Sequence, residues 1–311
     1  MSEQNLIPSL PQTIDPLAPC PHGRYDDYLV TVLCAEPPSG RAADPGPVVR
    51  TDHFCLTERG RRIELTHWLS PDQLDNDVAG LLAEELFAPG WLSGAEIFER
   101  VLTGIVRSCI DDPLLAWCTF YGNTLARVRQ CWQTPAAAKG HERTTISELA
   151  PVYAHALQLI PAGQVLDLGS CFGFLPLLLA ERPANTVTAS DLSGGTMRLL
   201  TAVAAARGLQ LSTLVCDAAR IPMPDGWADT VSVIHLLEHV SPDHGRAVIR
   251  EALRVARHRV VVAVPVEDEP TAAYGHIRTF DLRQLGELGE RAGHPCSVHE
   301  HHGGWLVLTV G

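Results

Sequence analysis

The chain has 311 residues, 46% of them apolar and only 19% charged, enough for two modest domains or one full domain with a large extension, and too apolar for wholesale disorder. Its formal net charge of −12 argues against nucleic acid as the main partner, because neutralising phosphates needs a concentrated basic surface. No apolar run of about 18 residues suggests a membrane span, the start lacks a secretory pattern, and nine scattered cysteines without a CxxC pair speak against a disulfide framework or zinc site; a reducing cytoplasm is the expected compartment.

Residues 1–25 are rich in proline and polar groups and read as a flexible arm. Two β-type runs follow, YLVTVLC at 28–34 and RRIELTHW at 61–68, separated by the loop-like stretch EPPSGRAADPGP. Ser70, Pro71 and Gln73 supply an N-cap, a favoured first helical residue and a capping-box partner, which predicts a helix to about Phe87. Ser93 with Glu96 repeats the device for a helix to about Ile110. Asp112 and Pro113 open a third helix, with Trp117, Phe120, Leu125 and Val128 at helical spacing. Residues 134–143 read as a linker, and Thr145 with Glu148 caps a further helix reaching Leu159. The expected division is therefore an arm (1–25), a substrate-recognition extension of short strands then helices (26–140), and an α/β domain (141–311).

From residue 164 short apolar segments alternate with helix-length ones: 164–168, 186–190, 211–216, 228–234 and 259–266. That rhythm predicts parallel βαβ units. Two closing strands near 296–301 and 305–310 are too close for a crossover helix and should form an antiparallel hairpin turning at Gly303 and Gly304. The expected fold is a Rossmann-like, mostly parallel sheet with an antiparallel last strand.

The first strand of this unit runs into VLDLGSCFGF at 165–174, a glycine-bearing turn that leads into an apolar helix. Gly169 lets the chain turn sharply, and Gly173 lets the following helix pack close to a ligand. A dinucleotide fingerprint needs glycine at 169, 171 and 174, and two of these are Cys171 and Phe174. The pattern Asp-x-Gly-x-Gly-x-Gly fits better, with Asp167, Gly169 and Gly173 in place and a miss only at Cys171. A Cys side chain is accommodated there if it points away from the ligand at negative φ. One strand later ASDLS at 189–193 puts Asp191 at a strand end, where an acid meets ribose hydroxyls.

This turn, together with ASDLS, VCDAARIPMPDG at 215–226, DTVSVIHLLEHV at 229–240 and GHIRTFDLRQLGELGERAGH at 275–294, resembles the class I S-adenosylmethionine-dependent methyltransferases over roughly residues 145–311. The resemblance implies S-adenosyl-L-methionine as cofactor. It implies contacts from Asp167, Gly169, Ser170, Cys171 and Gly173 of the turn, from Asp191 and Leu192 to the ribose, from Asp217 and Ala218 to the adenine, and from His235 packed beside the cofactor.

Methyl transfer from a sulfonium needs alignment and exclusion of water more than covalent help from the protein. A hydroxyl acceptor also gains from a base near neutral pKa. His239 in LLEHV is the first candidate and His276 in YGHIR the second. Helix capping and cofactor-loop packing are the plainer roles for such histidines. His235, Glu238 and His239 also bring three metal-ligand types within five residues, with His244 or His276 able to add another. The expectation is nevertheless transfer without a resident metal, and the HEHH run at 299–302 reads as hairpin surface.

The extension carries LDNDVAGLLAEELFAPGWLSGAEIFERVLTGIVRSCIDDPLLAW, with Trp91 beside Pro89 and Gly90. A tryptophan on such a loop either stacks on a sugar or packs into the extension's own core. With DDYLVTV at 26–32 and LDLGSCFGFLPLLLAER at 166–182, this stretch resembles the methyltransferase of the mycofactocin system. That resemblance implies O-methylation of a glucose in an oligosaccharide attached to a peptide-derived redox cofactor. A phenol, quinone precursor or lipid acceptor, or a non-catalytic cofactor-binding scaffold, stand as alternatives; the oligomeric state is left open by the sequence.

Overall fold

The computed structural model describes residues 14–36, 48–59, 62–133 and 144–311. Its amino-terminal unit is a five-stranded sheet of β1 (Arg24–Asp26), β2 (Val30–Cys34), β3 (Val48–Arg50), β4 (Phe54–Arg59) and β5 (Arg62–His67), in the order β1-β2-β5-β4-β3. β2 and β5 are the expected runs and pair in parallel; the other neighbours are antiparallel. β4 shows strand alternation, with Phe54 and Leu56 buried against the covering helices.

The helix expected from Ser70 to Phe87 is divided. Gln73 does accept the Ser70 backbone N–H at 3.0 Å, but this closes only a 3-10 turn over Pro71–Gln73. The helix proper is α1 (Asp77–Leu82), continued by a π-turn over Ala83–Phe87. α2 (Ala95–Cys109) starts after Gly94 rather than from a Ser93 cap, and Glu96 instead binds Tyr28 and Arg100. α3 (Pro113–Gln133) opens as expected: Asp112 accepts the Leu115 N–H at 2.7 Å, and Trp117, Phe120, Leu125 and Val128 are buried. In α4 (Thr145–Leu159) the capping pair is Thr144 with Ser147, one residue before the expected Thr145 and Glu148.

Residues 14–25, read as part of a loose arm, are held in place. The Trp117 indole donates to the Pro16 carbonyl at 2.8 Å, and buried Arg107 donates to that of Ala18 at 2.7 Å. The rest of the arm (1–13), nearly all of the Pro/Gly-rich loop and the 134–143 linker lie outside the described residues.

The carboxyl-terminal unit comprises β6 (Gln164–Leu168), α5 (Phe174–Ala180), β7 (Thr186–Asp191), α6 (Gly194–Ala206), β8 (Leu211–Val215), β9 (Ala228–Ile234), α7 (Pro242–Val255), β10 (Ala256–Val264), α8 (Leu282–Ala292), β11 (Cys296–Glu300) and β12 (Gly304–Thr309). Strand order is β11-β12-β10-β9-β6-β7-β8, parallel except for β12, which runs antiparallel to both β10 and β11. This is the expected Rossmann-like sheet, hairpin included. Val231, Val233, Val260 and Val262 face one apolar layer, and Val165, Val187 and Val261 the other. Each such side chain contributes about 1.5–3 kcal/mol through burial before ordering costs are counted.

The chain winds outward from β6 through β7 to β8, then returns to β9 on the other side of β6. A cleft therefore opens at the carboxyl ends of β6 and β9, where such sheets bind ligands. The extension covers this edge: Phe172, in the turn after β6, packs against the apolar clusters of both α2 and α3, and its carbonyl accepts the Tyr121 hydroxyl at 2.7 Å. Among the described residues no helix is long and apolar enough to cross a membrane.

Candidate active site

Asp167 fixes the turn. It is buried (3% exposed) and accepts the hydroxyls of Ser170 at 2.7 Å and Ser232 at 2.6 Å, while its backbone carbonyl accepts that of Ser190 at 3.0 Å. β6, β7, β9 and the turn are thus tied to one side chain beneath the cleft. Burial outweighs these hydrogen bonds and raises its carboxyl from 3.8 to about 6. Between those values the folded protein holds a proton that the unfolded chain has lost, so this group's contribution to stability falls as pH rises through about 4 to 6. The full change is on the order of 3 kcal/mol. Denaturant melts should therefore show Asp167→Asn gaining stability relative to wild type between pH 4 and pH 7; a constant or opposite difference refutes the assignment.

The two glycines serve packing within the protein as well as ligand approach. Gly169 has φ 68°, and a Cβ there would lie 2.7 Å from Leu236; Gly173 has φ 74°, and its Cβ would lie 2.4 Å from Leu200 of α6. Cys171 departs from expectation. Its φ is +48°, not negative, because the turn keeps the left-handed backbone of the glycine it replaces. That geometry lets its N–H donate to Asp191 Oδ2 at 3.0 Å. Desolvation in the crowded turn and the neighbouring Asp191 carboxylate both push the Cys171 thiol up, which favours its protonated form, although part of the residue reaches the surface. Cys171→Gly is expected to stabilise the protein by roughly 1 kcal/mol, the left-handed strain relieved less the added freedom of the unfolded chain. A destabilised variant in denaturant melts would contradict this.

Asp191 ends β7 with its two oxygens on the N–H groups of Cys171 (3.0 Å) and Ser193 (2.9 Å). Those bonds hold the carboxylate in one plane and leave a lone pair on each oxygen for a vicinal diol. Next to it a cavity is lined by Gly169, Leu192, Ala218, Leu236, Val240 and Val248, with Asp217 also in its wall. Asp217 accepts the Ala219 N–H at 2.8 Å and faces His244 Nε2 at 3.0 Å. A flat purine between apolar walls, an acid at its rim and an acid for the diol together fit S-adenosylmethionine.

His235 was expected here but does not line this cavity. Its φ of +54° lets its N–H reach the Ala263 carbonyl at 2.9 Å and directs the ring toward Glu238. Burial lowers the ring to about 4, with His276 and His239 adding to the effect. His239 and His276 do come together, ring centroids 4.9 Å apart and nearly perpendicular. His239 Nδ1 lies 3.3 Å from the Gly275 carbonyl, and His276 Nδ1 lies 2.8 Å from Glu267 Oε2. Desolvation, then the charge of His276, lowers the pKa of His239, whose side chain is open to the cleft. Glu238 beneath them is fully buried, and burial raises its carboxyl to about 8.

Sequence reasoning passed over several members of this site. Ser190 and Ser232 read as ordinary strand residues; only their inward register beside Asp167 reveals them. Glu99 of α2 faces the turn from the extension, where desolvation raises its pKa and Asp191 adds to the shift. Nothing local marks that residue. Gly275 sits between Ala95 of α2 and His239, so the histidine pair lies at the junction of extension and core.

Residues 165–259 match the family model described as a methyltransferase domain. The chain is 32% identical over 137 residues to demethylmenaquinone methyltransferase of Thermus thermophilus, covering 43% of this chain and 61% of that protein. It is 31% identical over 135 residues to the ubiquinone/menaquinone biosynthesis C-methyltransferase of Paraburkholderia phymatum, covering 42% of this chain and 54% of that one. The match thus spans less than two thirds of either relative. Among solved structures, a SAM-dependent methyltransferase from Aquifex aeolicus superposes with a TM-score of 0.46 at 17% identity, covering 60% of this chain and 98% of that one. By strand order, motif turn and match to the methyltransferase-domain model, the carboxyl-terminal half of this chain has the class I S-adenosylmethionine-dependent methyltransferase fold.

Proposed function

We propose that the protein is an S-adenosylmethionine-dependent O-methyltransferase, acting in the cytoplasm on a glucosyl hydroxyl of an oligosaccharide, the mycofactocin glycan being the acceptor its extension resembles a partner for. The observation that carries the transfer reaction is the succession along one sheet edge of the apolar cavity, Asp191 and the His239–His276 pair, the last of these meeting the extension at Gly275 and Ala95. Bound there, S-adenosylmethionine supplies an electrophilic methyl group and leaves as S-adenosylhomocysteine. The chain's residues orient the acceptor: its oxygen forms the new bond to the methyl carbon as the carbon–sulfur bond breaks, and its hydroxyl proton is lost. His239 is suited to activate that hydroxyl because its lowered pKa keeps the ring neutral near pH 7, with the nitrogen away from Gly275 available.

The extension supports a sugar acceptor. Trp91 is 52% exposed on its loop, in line with the stacking alternative rather than burial in a core, and Tyr274 is 37% exposed beside His276. A quinone precursor or other phenol is the second reading, favoured by the names of the two relatives. Cofactor labelled at the methyl, offered with a panel of glucosides and phenols, separates the two: label on glucosides alone supports the proposal, and label on phenols alone overturns the sugar assignment. Absence of S-adenosylhomocysteine binding by calorimetry would instead favour a non-catalytic scaffold.

A further inference from the structure

Glu238 is not explained by methyl transfer alone. Its side chain is fully buried, and among the described residues neither carboxyl oxygen has a hydrogen-bond partner. A buried carboxyl without partners forfeits its hydrogen bonds even when it holds its proton, and an ion placed beside it would displace that proton and satisfy the group. Among the described residues the nearest candidates stop short of a hydrogen bond: His235 Nδ1 is 3.7 Å away, and Arg278, whose charge does favour the ionised Glu238, directs its Nε to the Leu237 carbonyl at 2.8 Å and stacks over Phe280.

What does converge on Glu238 is a pair of imidazoles. One oxygen of Glu238, one nitrogen of His239 and one of His276 lie within 4.8 Å of one another. Sub-ångström adjustments would bring them onto an ion about 2.0–2.2 Å from each. Both rings are held from behind. His276 Nδ1 is bound to Glu267, which is fixed in turn by the Thr271 hydroxyl at 2.9 Å, and His239 Nδ1 points at the Gly275 carbonyl. With Nδ1 engaged, Nε2 is the nitrogen each ring would offer an ion, the arrangement that orients histidine ligands at metal centres.

We propose that Glu238, His239 and His276 form a binding site for one divalent transition-metal cation, with Glu267 and the Gly275 carbonyl positioning the two imidazoles. Two imidazoles and a carboxylate suit Zn²⁺, Mn²⁺ or Fe²⁺ better than the all-oxygen preference of Ca²⁺ or Mg²⁺. Three protein ligands leave coordination positions open, and His239 is the exposed member of the three, so an acceptor would reach the ion from its side. This deepens the transfer reading and rests on it. The acceptor oxygen would bind the ion, lose its proton to solvent and form the oxygen–methyl bond as the carbon–sulfur bond breaks. His239 then activates the hydroxyl as a ligand of the ion, and no oxidant or reductant is required.

The test uses the full chain, dialysed against chelator and titrated with Mn²⁺ by electron paramagnetic resonance and with Zn²⁺ by calorimetry. S-Adenosylhomocysteine affinity is measured in parallel. The expected result is one ion per chain, with affinity lowered about 100-fold or more in Glu238→Gln and His276→Ala, and about 10–100-fold in Glu267→Gln. A His299→Ala, His301→Ala, His302→Ala hairpin variant should bind as wild type does. Retained S-adenosylhomocysteine binding shows that each variant is folded. In wild type, Mn²⁺ should also selectively broaden the His239 and His276 imidazole resonances, a readout that needs no folded variant. The proposal is overturned if wild type binds no ion, if Glu238→Gln and His276→Ala bind it unchanged, or if the hairpin variant loses it. Failure of S-adenosylhomocysteine to bind wild type would sink the transfer reading while leaving the ion count standing.

Discussion

Replacing His239 with alanine is expected to lower turnover by about 10²–10⁴-fold while leaving affinity for S-adenosylhomocysteine nearly unchanged. The separation follows from position. His239 contributes nothing to the cavity wall beside Asp191, yet it is the exposed member of the cluster with Glu238 and His276. Its loss removes the group that meets the acceptor hydroxyl, whether it takes the proton itself or holds the ion that makes the hydroxyl acidic. Single-turnover rates with labelled cofactor, set beside calorimetric affinities, measure both quantities. A comparable loss in His276→Ala but not in His239→Ala would transfer the role to His276. A rate unchanged in both would remove the histidine pair from the chemistry.

Asp191→Ala should produce the complementary pattern, weakening cofactor binding by about 1–3 kcal/mol, or roughly 5–150-fold. The carboxylate does two things at once, holding the turn through the Cys171 and Ser193 N–H groups and presenting its remaining lone pairs to a diol. Asp191→Asn separates these: its one carbonyl oxygen can keep a single N–H, so it should retain more of the fold's stability than alanine while still losing affinity. A wild-type dissociation constant in Asp191→Ala would show that the ribose is held elsewhere.

The βαβ rhythm was legible because the central strands β6, β7 and β9 are largely buried and lie between helix-length segments, so strand bounds from Gln164 to Ile234 agree with expectation to within a residue. The extension was harder to read. β1 is three residues long, β4 carries its signal only as alternation at Phe54 and Leu56, and the Ser70 capping pair closes a turn rather than a helix. In the site, strand-end acids such as Asp191 and Asp217 advertise themselves by position. Cys171 could not be read the same way, since its left-handed backbone belongs to the turn and is coupled to Asp191, twenty residues on, through a hydrogen bond that no local pattern shows. Glu238 was visible as a ligand type, but its lack of a hydrogen-bond partner among the described residues exists only in three dimensions.

The hold that α2 and α3 keep on residues 16–18 sets a limit on how the protein can be trimmed. A version beginning at Tyr25 would take away the carbonyls that accept from the Trp117 indole and from Arg107, and would uncover two side chains that are buried in the intact protein. Each lost hydrogen bond costs about 0.5–1.5 kcal/mol net, and the newly wetted indole adds its own apolar surface, so the cut would draw on the interior of the roof although every residue removed belongs to its outside.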